Sequence, residues 1–321
     1  MHQVDVTVVI PTRNRPDMLA RALDSIACQS HSNYEVYVVD DGSSEEHAAS
    51  YGDMIGFRDE RFHLLQQSPT AGIGAGPSVS RNRGIAAGRG RYIAFLDDDD
   101  TWSYKGHLET AVEVLDRTGS ELYCADMQGF SGDRLVLDTW FPDRKPLTSG
   151  ERVGLDPPVY RATRAAFVAA ASHRNLNPNP VVVSRQLVER AGGYLVTLRF
   201  AEDYEFLFRL ADRTDGIIFC DKHVARYRLP EGDSHSLSFN TAEQHLQSLA
   251  AAQHLRITAQ SAEVRRAARL TEAWTLRLLS KGLRRDGRPG AALSFAVESV
   301  LVQPTFGGFL HIARTLLGRV G

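Results

Sequence analysis

Residues 6–10 form a run of apolar and β-branched side chains with no charge, the pattern of a strand buried on both faces. Residues 16–29 then place Met18, Leu19, Ala22, Leu23 and Ile26 at helical spacing, with Pro16 suited to a first helical turn. A second β-rich run, 34–39, ends at Asp40-Asp41-Gly42-Ser43, and Ser43 or Ser44 is placed to cap a short helix opened by Glu45 and Glu46. Residues 61–66 predict a third strand. A glycine-rich loop, 70–77, leads into a helix over 78–87, and 91–96 (RYIAFL) predicts a fourth strand closed by four aspartates, 97–100. Alternation of this kind predicts an α/β fold with a mostly parallel sheet and helices on both faces. Ligands of such sheets bind beyond the carboxyl ends of the strands, where 11–15, 40–43 and 97–100 all fall.

Past residue 103 the alternation loosens. Residues 105–118 read as a helix, and 121–128 with 134–141 as a hairpin about Ser131-Gly132-Asp133. The Pro-, Arg- and Asn-rich stretch 142–180 reads as loops around a second ligand. A short strand at 181–183 precedes a helix ending near Gly192-Gly193, 204–213 reads as a helix, and 216–228 as one or two strands. From about Thr241 onward the pattern is helical, broken at 285–290 and at Gln303-Pro304. These patterns divide the chain into 1–240, itself split near 102, and a helical extension over 241–321.

Composition removes several function classes. A formal net charge of −2 provides no field for nucleic acid. The three cysteines, Cys28, Cys124 and Cys220, are widely spaced and read as reduced thiols of a cytosolic protein. The N-terminal stretch lacks a basic segment followed by a long apolar run, and no apolar run approaches the roughly 20 residues that span a bilayer. The expected location is therefore cytoplasmic, with peripheral contact at the inner face of the membrane. Gly72-Ile73-Gly74-Ala75-Gly76 is not a complete dinucleotide fingerprint, because Pro77 stands at the third glycine's place and the loop follows the third strand. It reads as a loop over a ligand.

The candidate chemistry lies in acidic groups at the strand ends. If strand geometry continues past residue 96, Asp97 and Asp99 project to one side. Two carboxylates there suit Mg²⁺ or Mn²⁺ that also binds phosphate oxygens. Asp41 is placed to accept hydrogen bonds from a nucleobase or ribose, and Glu202-Asp203 opens a helix where a carboxylate can act as general base. Arg81 or Arg83 is placed to pair with phosphates or with the aspartates. Each segment also has a plainer reading: a solvated acidic turn, an Asp-Gly turn, an acidic pair favoured by a helix dipole, a surface arginine.

Together, VVIPTRNRPDMLARALDSI, YEVYVVDDGS, GPSVSRNRGIAAGRGRYIAFLDDDDTW and AGGYLVTLRFAEDYEFLFRL resemble the inverting family-2 glycosyltransferases of GT-A fold, in the family's order, over roughly residues 4 to 230. The resemblance implies a nucleotide-sugar-binding half over 1–102 and an acceptor-binding half over 103–240. It implies that Pro11 and Thr12 lie beside the nucleotide, that Asp41 reaches the base and that Arg81 lies near the donor. Asp97 and Asp99 match the outer residues of the DxD motif, Asp99 being the metal ligand, and Asp203 matches the proposed catalytic base. Arg13 and Asp98 complete the donor-side set, and Glu202, Asp100 and Trp102 the supporting or acceptor set. Where many members carry a metal-binding histidine after Tyr-Arg, this chain has Tyr227-Arg228-Leu229-Pro230, and His235 is the nearest candidate.

The implied activity is metal-assisted transfer of a sugar from a nucleotide-diphosphate donor, UDP in many members, to a hydroxyl of a glycan or lipid-linked acceptor, as in cell-surface polysaccharide synthesis. The rivals are a silent nucleotide-sugar-binding scaffold and a sugar-phosphate nucleotidyltransferase. The extension has three readings: packing against the catalytic part, a homodimer contact, or a membrane-surface contact through 291–302 and 306–317.

Overall fold

The computed structural model describes residues 3–67, 74–154, 156–172, 176–229 and 241–317. In chain order the first half comprises β1 (Val6–Thr12), α1 (Pro16–Ala27), β2 (Tyr34–Asp40), α2 (Glu45–Gly56), β3 (Phe62–Leu65), α3 (Pro77–Ala87), β4 (Tyr92–Phe95), β5 (Thr101–Trp102) and α4 (His107–Thr118). There follow β6 (Leu122–Ser131), β7 (Arg134–Leu137), α5 (Lys145–Thr148), β8 (Arg152–Gly154), β9 (Val159–Ala162), α6 (Arg164–Ala171), β10 (Val181–Ser184), α7 (Arg185–Ala191), α8 (Glu202–Asp212) and β11 (Ile217–Arg228). Four helices close the chain: α9 (Ala242–Thr258), α10 (Ala262–Arg285), α11 (Pro289–Val302) and α12 (Phe306–Leu316).

One sheet runs in the order β3-β2-β1-β4-β10-β6-β11-β9-β8, with β5 on β11 and β7 on β6. β1 pairs in parallel with β2 and with β4, and β2 with β3. β10 enters antiparallel between β4 and β6, and β6 then pairs in parallel with β11. The sheet is thus mostly parallel at its centre, as its apolar runs require: Val6, Val8, Val9 and Ile10 are wholly buried although their side chains alternate between faces. The order reverses at β1, which lies between β2 and β4. This switch point leaves the crevice at their carboxyl ends in which open α/β sheets bind ligands.

Local signals account for most boundaries. Pro16 and Pro77 open α1 and α3, and the Ser44 hydroxyl accepts the His47 N–H at the start of α2. Gly119 and Gly192 close α4 and α7 with positive φ. The helical extension is fastened to α8. Buried Glu205 takes both arms of Arg209 at 2.7 Å and His254 of α9 at 2.8 Å, while Asp212 accepts from Gln260 N at 2.8 Å and Ser261 Oγ at 2.6 Å at the head of α10. Leu255, Val264, Ala267 and Ala268 join the same hydrophobic core as the sheet.

Candidate active site

At the switch point, the end of β1 meets the turn after β4. Thr12 Oγ1 donates to Asp98 Oδ2 at 2.8 Å, and Arg15 Nη1 lies 3.0 Å from both Asp98 and Asp99. Strand geometry does not continue into the aspartates, so Asp97 and Asp99 do not project to one side as the alternation predicts: Asp97 reaches Arg81 and Asp99 reaches Arg15. β4 stops at Phe95, and the Asp100 N–H bonds to Asp97 O at 3.1 Å, so 97–100 is a turn that aims its carboxylates separately. Asp97 faces α3, Asp98 and Asp99 face Arg15, and Asp100 turns into the protein.

The turn is held from beneath by Asn179. Its Oδ1 accepts the Asp97 N–H at 2.9 Å, its Nδ2 donates to Asp100 Oδ2, and its carbonyl accepts the Trp102 indole at 2.9 Å. The other Asp100 oxygen accepts the Arg228 N–H at 2.6 Å. Asp100 and Trp102 are therefore supports behind the cavity wall. Asn179 was not singled out from sequence, since it lies in the loop-rich stretch where no periodicity marks a role. Truncating Asn179 to Ala strips partners from a buried carboxylate and a buried N–H, so urea unfolding is expected to show a loss of about 2–3 kcal/mol. Unchanged stability would contradict this reading of the turn.

Across the cavity, α3 lies close on β1. A Cβ on Gly84 would collide with the Val9 side chain. This approach places Arg81 at the centre of the site, only 3% exposed. Its Nη2 reaches Asp97 at 2.7 Å, its Nη1 reaches Asp203 at 3.1 Å and Glu202 at 3.2 Å, and its guanidinium lies 5.2 Å from the Tyr194 ring centroid. Burial opposes the charge on Arg81, but the carboxylates hold it firmly in the cationic form. Arg83, the alternative partner, instead donates to Gln67 Oε1 and the Gln66 carbonyl.

The same helix positions the acid at α8. Ser78 Oγ donates to Leu198 O at 2.7 Å, and Asn82 exchanges two 2.8 Å hydrogen bonds with the Tyr194 backbone. That segment ends at Ala201, whose φ of 60° is a left-handed conformation rare for a residue with a Cβ. Such a residue costs about 1–3 kcal/mol and marks constrained backbone. Two residues on, Asp203 lines the cavity with a fifth of its side chain exposed, its Oδ1 buried against Arg81. Burial, followed by the charges of Glu202 and Asp97, drives the Asp203 carboxyl well above the usual range against the pull of Arg81. Asp99 is pushed up to about 6 by burial and by Asp97 and Asp98, with Arg15 opposing.

These groups line one cavity of about 700 Å³, together with Pro11, Arg13, Asp41, Trp140 and Tyr227. Asp41, Asp99 and Asp203, distant in the chain, thus face a single space. Asp41 departs from its expected role in one respect: its oxygens accept the Ala75 and Gly76 N–H groups at 2.8 and 2.9 Å, so it clamps the glycine-rich segment. Residues 68–73 of that loop and His235 lie outside the described residues. Trp140 and Tyr227, with ring centroids 5.0 Å apart, form an aromatic wall that the motifs did not reveal.

Among the described residues, no group of three or more His, Cys, Asp or Glu is disposed to hold a metal ion. The carboxylates nonetheless fit a hard divalent cation of the kind that takes one or two protein carboxylates and completes its shell with phosphate and water. Burial and the neighbouring charges of Asp97 and Asp98 disfavour the charge on Asp99, a penalty that a bound cation would relieve.

Comparison with known proteins agrees with this geometry. Residues 7–147 match the family described as Glycosyl transferase family 2. The succinoglycan biosynthesis protein ExoW of Rhizobium meliloti is 27% identical over 220 residues, covering 67% of this chain and 66% of ExoW. S. aureus TarS 1-349, solved in complex with UDP-GlcNAc, superposes with a TM-score of 0.67 at 18% identity, covering 98% of this chain and 88% of TarS 1-349. The mannosyltransferase PcManGT of Pyrobaculum calidifontis, solved with GDP-Man and Mn2+, gives a TM-score of 0.58 at 17% identity, covering 99% of this chain and 86% of PcManGT. At these identities the two structures establish the shared fold. The chain spans 18% to 20% of the length of the first curated relatives it matches, at 30% to 34% identity.

Proposed function

We propose that this chain is a family-2 glycosyltransferase that moves a sugar, with inversion, from a nucleoside-diphosphate donor to an acceptor hydroxyl during synthesis of a cell-surface polysaccharide or glycolipid. UDP is the first candidate nucleotide. One observation carries the reading: buried Arg81 bridges Asp97, on the turn beside the sheet's switch point, to Asp203 at the head of α8. A single cation thereby fixes the distance between a donor-side turn and a carboxylate placed as base.

On this reading Pro11, Thr12, Arg13 and Asp41 border the nucleotide, and the 97–99 turn faces the diphosphate. Asp99, with Asp97, is the candidate holder of Mn²⁺ or Mg²⁺, which when bound neutralises charge on the diphosphate. The Asp203 carboxylate takes the proton of the acceptor hydroxyl. The hydroxyl oxygen then bonds to the anomeric carbon as the bond to the diphosphate oxygen breaks and that oxygen keeps the electron pair. Trp140 and Tyr227 supply the apolar surface on which a sugar ring stacks. The functional division follows the sequence boundaries, with donor groups in 1–102 and acceptor groups in 103–240. The relatives support the same reading: succinoglycan biosynthesis for ExoW, UDP-GlcNAc in the TarS complex, Mn2+ in the PcManGT complex.

Thermal unfolding with UDP-, GDP- and dTDP-sugars, each with and without Mn²⁺, tests this assignment. One nucleotide class is expected to raise the melting temperature by several degrees, since ligand at 100 times its Kd adds about 2.7 kcal/mol. The shift should shrink when the cation is chelated. Absence of a shift with any nucleotide sugar, in either condition, refutes the donor assignment.

A further inference from the structure

Away from the 97–100 turn, Asp126 of β6 is wholly buried, and hydrogen bonds from both sides converge on its carboxylate. Oδ1 accepts the Met127 and Trp140 N–H groups, each at 2.8 Å. Oδ2 accepts the Thr139 hydroxyl at 2.6 Å and Arg144 Nη1 at 3.0 Å. Apart from Met127, these donors all belong to residues 139–144, which connect β7 to α5. Within that connection the Thr139 oxygen accepts the Phe141 N–H at 3.1 Å, and Arg144 Nη1 also lies 3.1 Å from Asp221 of β11. Phe141 is itself buried, its ring edge-on to that of Phe219.

Trp140 sits between these pinned neighbours. It lines the active-site cavity, and its ring centroid lies 5.0 Å from that of Tyr227 on β11. Only 5% of Trp140 is exposed, so it serves chiefly as a backing for Tyr227, and a slight shift of its backbone moves the pair. The strand itself does not require a carboxylate at 126. A buried charge persists only where hydrogen bonds satisfy it, and an apolar residue of similar volume is often no less stable. Such a residue would leave the buried Trp140 N–H without its acceptor. What the carboxylate provides is a fixed path for the chain on either side of Trp140.

We propose that Asp126 is a positioning residue for the acceptor: it fixes Trp140 behind Tyr227 and so sets the aromatic wall on which the acceptor's sugar ring packs. Asp126 acts through the backbone of residues 139–141 and not by touching substrate. The proposal rests on the transferase reading and adds to it what holds the acceptor side in register. The contacts that fix Arg81 and the 97–100 turn do not pass through Asp126. Loosening the wall should therefore weaken the acceptor's hold and leave the donor's unchanged.

Steady-state transfer to p-nitrophenyl glycosides of the common hexoses tests it, with the nucleotide sugar that raises the melting temperature as donor. Asp126→Asn should raise the acceptor KM about tenfold and change kcat by no more than about twofold, the pattern of a lost ground-state contact. Thr139→Val, which removes one hydroxyl from the network, should raise the same KM about threefold, and it decides the matter if Asp126→Asn does not fold. The donor-induced rise in melting temperature should match the parent's in both variants. A lower melting temperature with the parent's acceptor KM would make Asp126 a structural group only and overturn the proposal. So would a parent that responds to the donor but transfers to none of the glycosides, an outcome that leaves the donor assignment standing. A parent that responds to no nucleotide sugar removes the transferase reading, and the acceptor wall with it.

Discussion

Arg81→Met is expected to abolish transfer and to lower unfolding stability by about 3–5 kcal/mol, the range for removing one partner of a buried ion cluster. Arg81 is the cation that Asp97, Glu202 and Asp203 share, at 2.7, 3.2 and 3.1 Å. Without it, three crowded carboxylates, of which Asp203 is already disfavoured by burial, must either repel one another or take up protons. The expected signature in urea denaturation is a loss that grows as pH rises, because the orphaned carboxyls are neutral at low pH and charged at high pH. Arg81→Lys should recover part of the stability and little of the turnover, since a point charge cannot reach two elements with the span of a guanidinium fork. Equal stability of Arg81→Met and the parent across pH would remove Arg81 from the centre of the site.

Arg81 also marks where sequence reasoning succeeded and where it stopped. The strands and helices around it were legible because burial on both faces of a parallel sheet demands unbroken apolar runs, and proline and cap residues fix the ends of α1, α2 and α3. The acidic segments were legible as strand-end groups, since any element continuing a central strand reaches the same rim. Aim was not legible. Whether 97–100 continues as strand or folds into a turn depends on Asn179, some 80 residues away, whose side chain holds both ends of the turn. The choice between Arg81 and Arg83 depended on which face of α3 meets β1, and Gly84 decides it by allowing contact with Val9. On α12, only packing shows that Phe306, Phe309 and Leu316 are left outside and Gly308 is buried instead.

Asp203→Asn is expected to reduce kcat by at least about 10³ while leaving the protein as stable as the parent or more so. The charge on Asp203 is unfavourable in the folded state: burial, Glu202 and Asp97 raise its pKa well above that of a free carboxyl, and Arg81 only partly compensates. The folded protein therefore binds this proton more tightly than the unfolded chain does. Its contribution to stability is fully present below the unfolded pKa and is lost as pH rises through the folded pKa. An asparagine carries no charge to desolvate, so its advantage over the parent should grow from acidic to neutral pH and level off above the folded pKa. The same shift makes the ionised carboxylate a stronger base than an ordinary aspartate. The acid limb of kcat/KM should accordingly fall at a pH above the ordinary carboxylate range, and Asp203→Asn should leave too little activity for that limb to be seen. Asp203→Glu distinguishes base from scaffold: it keeps the proton acceptor but displaces it, so turnover should fall while the raised acid limb persists. An Asp203→Asn protein with the parent's rate would pass the base role to another group and leave Asp203 as a counter-charge for Arg81.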